Sequence, residues 1–283
     1  MANSFKQMAK DGTIKRPDGR MTMNLDDIHV QEGFNKRVEN EHTLAEDEKL
    51  FQHLMKGKPV PPIEVRVRDE GGVWVVEGHR RRRAYSRCRD AGKPVERIQI
   101  IQFTGNNVER IARIMNSNTQ LPLSPYEQSL VVKELAGFNL SPDEIAALVG
   151  KSRSTVDKLL AFSQANHDVQ TLVREGSVAV DAAVDRVKEH GEAAGKVLAG
   201  DVEKAKKAGK KKVTKSFITP LFSAEKGRQM MARLEFANFI TREEGNCILL
   251  PPEVDPMEVI ALQNDYRQFM ADQRTPEGEE EQL

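Results

Sequence analysis

The chain has 283 residues, enough for two or three domains, with 43 basic and 43 acidic residues and therefore no formal net charge. Charged residues make up 30%, apolar residues 39% and aromatics only 5%, which fits a mainly helical protein with solvated faces and speaks against an all-β sandwich. The two cysteines, Cys88 and Cys247, lie too far apart for a metal-ligand spacing and read as reduced thiols of a cytoplasmic protein. No apolar run reaches the length of a membrane span and the N-terminus lacks a signal-type apolar region, so no membrane partner is expected.

Residues 1–24 are polar, methionine-rich and without periodicity, and read as a flexible arm. A helix is predicted over 45–55, ended by Lys56-Gly57-Lys58-Pro59. Ile63, Val65 and Val67 alternate with charged residues, Asp69-Glu70-Gly71-Gly72 is a turn, and 73–76 is an apolar strand, together a β-hairpin. A basic helix over 80–91 and a strand over 98–103 complete a small α+β domain, 25–106. Cys88 lies on that basic helix and reads as a packing residue.

From 107 to 200 the pattern is helical. Ser124-Pro125-Tyr126-Glu127 and Ser141-Pro142-Asp143-Glu144 share one helix-start design: serine caps an orphan N–H, proline pre-sets φ, and glutamate reaches back to the cap. Further helices are expected at 153–163, 167–175, 179–190 and 192–199. Residues 201–215 carry seven lysines against Asp201 and Glu203 and read as a linker. The remainder, 216–283, is expected to form a small α/β domain with a helix over 224–239, a strand over 247–250, a helix over 256–271 and an acidic tail.

Within 143–162, Ala146 is small where two helices must approach, and Gly150 can take the positive φ of a sharp turn. Val156 returns to a core shared with Ile145, Val149 and Leu159. That is the spacing of a helix-turn-helix, whose second helix enters a DNA major groove. Lys151, Ser152, Arg153, Ser154, Thr155 and Lys158 would form its DNA-facing side, with cations and hydroxyls suited to phosphates and base edges.

Glu77-Gly78-His79-Arg80-Arg81-Arg82-Arg83-Ala84 stands where a strand gives way to a helix. Free N–H groups at a helix start beside several arginines suit an anion, while a solvated basic face or direct contact with DNA phosphate stay open on spacing alone. The segment resembles the Gly-Glu-Arg-Arg-x-Arg-Ala motif of the ParB family of partition and KorB-like proteins. Gly78, Arg80, Arg81, Arg83 and Ala84 match, and His79 stands for the glutamate. Leu54 to Arg66, LMKGKPVPPIEVR, resembles the family's first motif, and Asn116 to Glu127, NSNTQLPLSPYE, its third, Glu-Asn-x-x-Arg-x-x-Leu-x-Pro-x-Glu. Residues 167–183 resemble the segment after the family's helix-turn-helix, so the likeness spans roughly 25–190.

The resemblance implies a ParB/sulfiredoxin-like N-terminal domain that binds CTP with Mg²⁺, and a dimeric clamp on double-stranded DNA at a palindromic site. It also implies closure on DNA-site binding, slow CTP hydrolysis, a C-terminal dimerisation domain at 216–283 and a ParA-type ATPase as partner. By it the nucleotide would lie against Gly78, His79, Arg80, Arg81, Arg83, Ala84, Asn116 and Gln120, with Asn116 as candidate metal ligand. In this register the family's Glu-Asn pair falls on Asn116 and Ser117 and its arginine on Gln120, so a carboxylate is missing. Glycine at 78 stands where a sulfiredoxin has its cysteine, so that chemistry is not expected. The alternatives are a KorB-like transcriptional regulator without CTP switching and a ParB-like nuclease. Neutral net charge excludes none of these, because charge is segregated: residues 79–93 carry seven cations against Asp90 alone.

Overall fold

The structure is a computed structural model and describes residues 3–116, 121–219, 222–242 and 245–274. It divides into two compact units, Met1–Thr214 and Lys215–Leu283.

The first unit opens with α1 (Phe5–Lys10), β1 (Ile14–Lys15), β2 (Thr22–Asn24), β3 (Ile28–His29), α2 (Glu41–Met55), β4 (Ile63–Val67), β5 (Val73–Glu77), α3 (His79–Asp90) and β6 (Arg97–Gln102). Six strands form one mixed sheet in the order β1-β2-β6-β4-β5-β3. The predicted hairpin is β4 antiparallel to β5, and β6 joins it parallel to β4. Alternate residues Ile63, Val65, Val73, Val75, Ile98 and Ile100 point to one buried face, as period two requires. Each such side chain contributes about 1.5–3 kcal/mol by leaving water. Helices α2 and α3 pack together through Leu54, Ala84 and Cys88. Burial pushes the Cys88 thiol pKa up, which suits packing rather than reactivity.

Three sequence expectations change. Of the arm expected over 1–24, the described residues 3–24 are not loose: Phe5, Met8, Ile14 and Met23 are buried in the sheet's core. Strands of two and three residues show no usable periodicity, and β2 is defined by its partner β6, with Met23 opposite Ile98. The lysine-rich stretch is not an open linker either, because a helix runs through its first half to Lys207. Leu198, Asp201, Val202 and Ala205 recur at helical spacing and are all buried, while the lysines fill the opposite face. Arg186 Nε sits 2.9 Å from Asp201 Oδ2 and satisfies the buried carboxylate. Further on, the Val213 amide donates to the Ser177 carbonyl at 2.9 Å, tying that end down as well. The third change lies in the second unit.

The helical part of the first unit contains α4 (Asn107–Asn116), α5 (Pro125–Ala136), α6 (Pro142–Val149), α7 (Arg153–Ser163), α8 (His167–Arg174), α9 (Val180–His190) and α10 (Ala194–Lys207). Both predicted serine-glutamate capping boxes are present, at the starts of α5 and α6. Gly150 has φ 64°, and the Lys151 amide closes onto the Ala146 carbonyl at 3.1 Å. The chain thereby turns sharply into α7, capped by Ser152. Ile145, Val149, Val156 and Leu159 meet Val131, Val132 and Leu135 of α5 in one core.

The second unit contains α11 (Lys215–Ile218), α12 (Ala224–Leu234), β7 (Asn238–Arg242), β8 (Gly245–Leu249) and α13 (Pro256–Arg274). The helix expected to reach residue 239 stops at Leu234, and β7 pairs antiparallel with β8. The expected strand over 247–250 therefore has an unexpected partner, of which only Asn238 and Phe239 fall within the expected helix. Phe222, Tyr266 and Phe269 form an aromatic cluster, with centroids of Phe222 and Tyr266 5.2 Å apart. No helix of the described residues is long and apolar enough to cross a membrane.

Candidate functional site

The turn between β5 and α3 opens on a cleft of about 760 Å³. Its wall includes Glu77, Gly78, His79, Arg80 and Arg81, with Asn35, Arg37, Glu46 and Lys49 opposite and Arg113 and Asn116 from α4. Gly78 has φ 104°, and a Cβ built there would stand 3.0–3.2 Å from the Arg81 guanidinium. Glycine therefore serves both the left-handed backbone and the arginine folded over it. Gly78 caps α3 without a side-chain acceptor, so the first amides of the helix are available to an anion.

The motif arginines have distinct partners. Arg81 donates through Nη1 to the carbonyls of Pro61 (2.7 Å) and Pro62 (2.6 Å) and pairs with Glu77 through Nη2. Arg80 Nε lies 2.5 Å from Asp47 Oδ1. Arg83 pairs with Glu39 at 2.6 Å and Asp47 at 3.3 Å, and does not line the cleft. Ala84 is buried against α2, a packing position rather than a ligand-facing one. Asn116 lines the cleft, but its Nδ2 donates to the Leu148 carbonyl at 2.8 Å, at the end of α6. Gln120 lies outside the described residues.

Sequence reasoning missed Arg37, Lys49 and Arg113. Arg37 is carried by a connecting strap, residues 30–40, and donates from Nη2 to the Leu121 carbonyl at 2.6 Å. Burial lowers its pKa, and the Glu127 carboxylate opposes that shift. The strap is fastened to the helical part at several points. Arg110 donates to Gln31 Oε1 at 2.9 Å, Lys36 pairs with Glu134 at 2.7 Å, and the Val38 amide donates to Glu127 Oε1 at 2.6 Å. The available signal was weak: a lone arginine shortly before Asn40, the residue that caps α2.

Phe34 of the strap lies between His79, ring centroids 5.8 Å apart, and the Arg110 guanidinium, 4.2 Å over its face. Arg110 is 7% exposed, and burial together with Arg66 lowers its pKa to about 10. His79 Nε2 is buried without a hydrogen-bond partner. Burial first, then repulsion from Arg83 and Arg110, holds the His79 pKa at about 4 against an ordinary 6.5. The unfolded chain therefore takes up a proton that the folded chain refuses between pH 6.5 and 4. This contribution is full above pH 6.5 and is lost as pH falls toward 4, by up to about 3 kcal/mol. Urea unfolding from pH 7 to 4.5 should show a smaller loss of stability in His79→Gln than in the unmodified protein. Equal losses would contradict the neutral, buried histidine.

The Mg²⁺ implied by the resemblance does not fit the residues present. Glu46, Glu64 and Glu77, the carboxylates of the cleft, are held by Lys49 (2.6 Å), Arg113 (2.7 Å) and Arg81 respectively. Among the described residues no group of three or more His, Cys, Asp and Glu side chains is placed to hold a metal ion.

On the helix-turn-helix, Lys151, Ser152, Arg153 and Ser154 are exposed, and Thr155 is half-buried with its hydroxyl 2.8 Å from Ser152 Oγ. Arg153 rests on Asp143 at 2.6 Å and Asp157 at 3.6 Å, and Lys158 on Asp181 at 2.7 Å. These exposed pairs are weak and can exchange a carboxylate for a phosphate.

The family model "ParB HTH domain" matches residues 122–213, a span that includes most of the lysine-rich stretch. The chain is similar to the probable chromosome-partitioning protein ParB of Vibrio cholerae, 31% identical over 127 residues, covering 44% of this chain and 42% of that protein. It is also similar to the chromosome-partitioning protein ParB of Myxococcus xanthus, 27% identical over 181 residues, covering 63% and 56%. The chain thus spans about half the length of the curated relatives it matches. A crystal structure of C-terminally truncated ParB from Caulobacter crescentus complexed to the centromeric parS site aligns at 20% identity. Its TM-score is 0.46, with 66% of this chain and 92% of that chain covered. Residues 122–213 thus match the helix-turn-helix domain of the ParB family, and the curated proteins to which this chain is similar are ParB proteins.

Proposed function

We propose that the protein is a partition-type DNA-binding protein that grips double-stranded DNA through α6 and α7 and binds CTP in the cleft at Gly78. The single contact that carries the reading is Asn116 to Leu148. One residue lines the cleft and at the same time caps the first helix of the helix-turn-helix, so a ligand that recruits this amide must release α6. CTP is the nucleotide by the family resemblance of 78–84. The cationic wall and the free amides of α3 suit its phosphates.

The second unit supports self-association into the homodimer that a palindromic site favours. Met231 is 68% and Phe236 73% exposed, and Met257 and Ile260 of α13 are exposed as well. Isolated apolar side chains are ordinary on a surface, but four of these in so small a unit suit a second copy. A ParA-type ATPase as further partner rests on the family resemblance alone.

Titration calorimetry with CTP, with and without cognate DNA, tests the reading. CTP binding that DNA strengthens is the expected result. DNA binding with no CTP binding in either condition would leave a KorB-like regulator in place of a clamp. At the DNA end, Arg153→Ala should weaken specific binding about tenfold and lower its salt dependence, with CTP affinity unchanged. Unchanged DNA affinity in a binding titration would remove α7 from the interface.

A further inference from the structure

We propose that the cleft binds its nucleotide without a divalent metal. This rests on the nucleotide reading above and concerns how the phosphate charge is met. A hard cation such as Mg²⁺ is held in nucleotide sites by one or two protein carboxylates together with phosphate oxygens. From Arg110 to Tyr126 the sequence contains no Asp or Glu, and the described residues of that segment on the cleft, Arg113, Ile114, Asn116 and Leu121, offer no carboxylate. The acids at either end are occupied. Glu109 accepts the Asn106 amide at 2.7 Å, and Glu127 accepts the amides of Ser124 and Val38. Asn116, where the family pattern has glutamate, supplies only a neutral carbonyl oxygen without the charge of a carboxylate.

Cations, not free carboxylates, line the cleft. Arg37, Lys49, Arg80, Arg81 and Arg113 line the cleft beside Glu46, Glu64 and Glu77, with Asp47 behind Arg80 and Glu127 near Arg37. Guanidinium groups meet phosphate oxygens with paired N–H donors and carry charge at every pH the protein meets. These cations, each able to exchange a carboxylate for a phosphate, serve a polyphosphate with the uncapped amides of α3 in place of a bound ion. The site therefore takes the free nucleotide rather than its magnesium chelate. It also lacks the ion that would neutralise charge in phosphoryl transfer, so the bound nucleotide persists unhydrolysed.

Calorimetric titration of CTP into the full chain, in excess EDTA and in millimolar Mg²⁺, decides the matter. The expected affinity in EDTA equals or exceeds that in Mg²⁺, within about threefold. A loss of about tenfold or more on removing Mg²⁺ would overturn the proposal while leaving the nucleotide reading standing. Binding in neither condition would overturn the nucleotide reading and this inference with it. Asn116→Glu supplies the missing carboxylate, and its affinity should become Mg²⁺-dependent by about tenfold. An Asn116→Glu variant as insensitive to EDTA as the unmodified chain would also count against the proposal.

Discussion

Arg81→Ala should lower CTP affinity by on the order of a thousandfold, equivalent to about 4 kcal/mol, and leave initial binding to DNA nearly unchanged. Two losses add. The phosphates lose a charge-assisted donor, typically about 1.5–3 kcal/mol. The Glu77 carboxylate, until then held by Arg81, is left uncompensated on the wall of the cleft and repels the incoming anion. The substitution also frees the carbonyls of Pro61 and Pro62, which Arg81 gathers onto the start of α3, at a stability cost of about 2 kcal/mol. Lysine at this position restores charge but cannot serve two carbonyls, a carboxylate and a phosphate with one planar fork, so Arg81→Lys should recover only part of the affinity. Calorimetry for CTP and fluorescence anisotropy for DNA separate the two effects. Equal loss of both would move Arg81 to the DNA interface.

The parts of this structure legible in the sequence are those with local causes. Ser124 with Glu127 and Ser141 with Glu144 satisfy each other within three residues, so the starts of α5 and α6 could be read directly. The same holds for Gly150, whose positive φ serves a turn written in its neighbours. Illegible parts have distant causes. Residues 22–24 become a strand because β6 lies beside them, more than seventy residues on. The helix through 201–207 was hidden by its lysines, which dominate composition but sit opposite Leu198, Val202 and Ala205. The Gly-Arg turn could be read as a candidate anion site, yet which arginines face the cleft depends on packing. Ala84 and Arg83 match the motif and turn away from it, whereas Arg37 and Arg113 belong to no local pattern and arrive through the strap and α4.

The strap is also where removal of one buried charge should cost most. Glu127 is 2% exposed, and its two oxygens serve different parts of the fold. Oε2 accepts the Ser124 amide at 2.7 Å and closes the cap of α5, while Oε1 accepts the Val38 amide at 2.6 Å and holds the strap. Its charge also opposes the desolvation of Arg37. Glu127→Ala should therefore destabilise the first unit by about 4 kcal/mol: two amides lose their acceptor, and the Arg37 guanidinium keeps its burial with the larger of its two opposing carboxylates, Glu127 and Asp47, gone. Glu127→Gln keeps an acceptor for one amide and turns its own N–H₂ toward the other, so about half that cost should remain. Urea unfolding of the two variants gives the ordering directly. At a urea concentration where Glu127→Gln is still folded, CTP affinity should fall with the loosened strap, because Arg37 and Asn35 reach the cleft only through it. A Glu127→Ala variant within about 1 kcal/mol of the unmodified chain would mean that packing of Phe34 between His79 and Arg110 fixes the strap, and that the carboxylate merely caps α5.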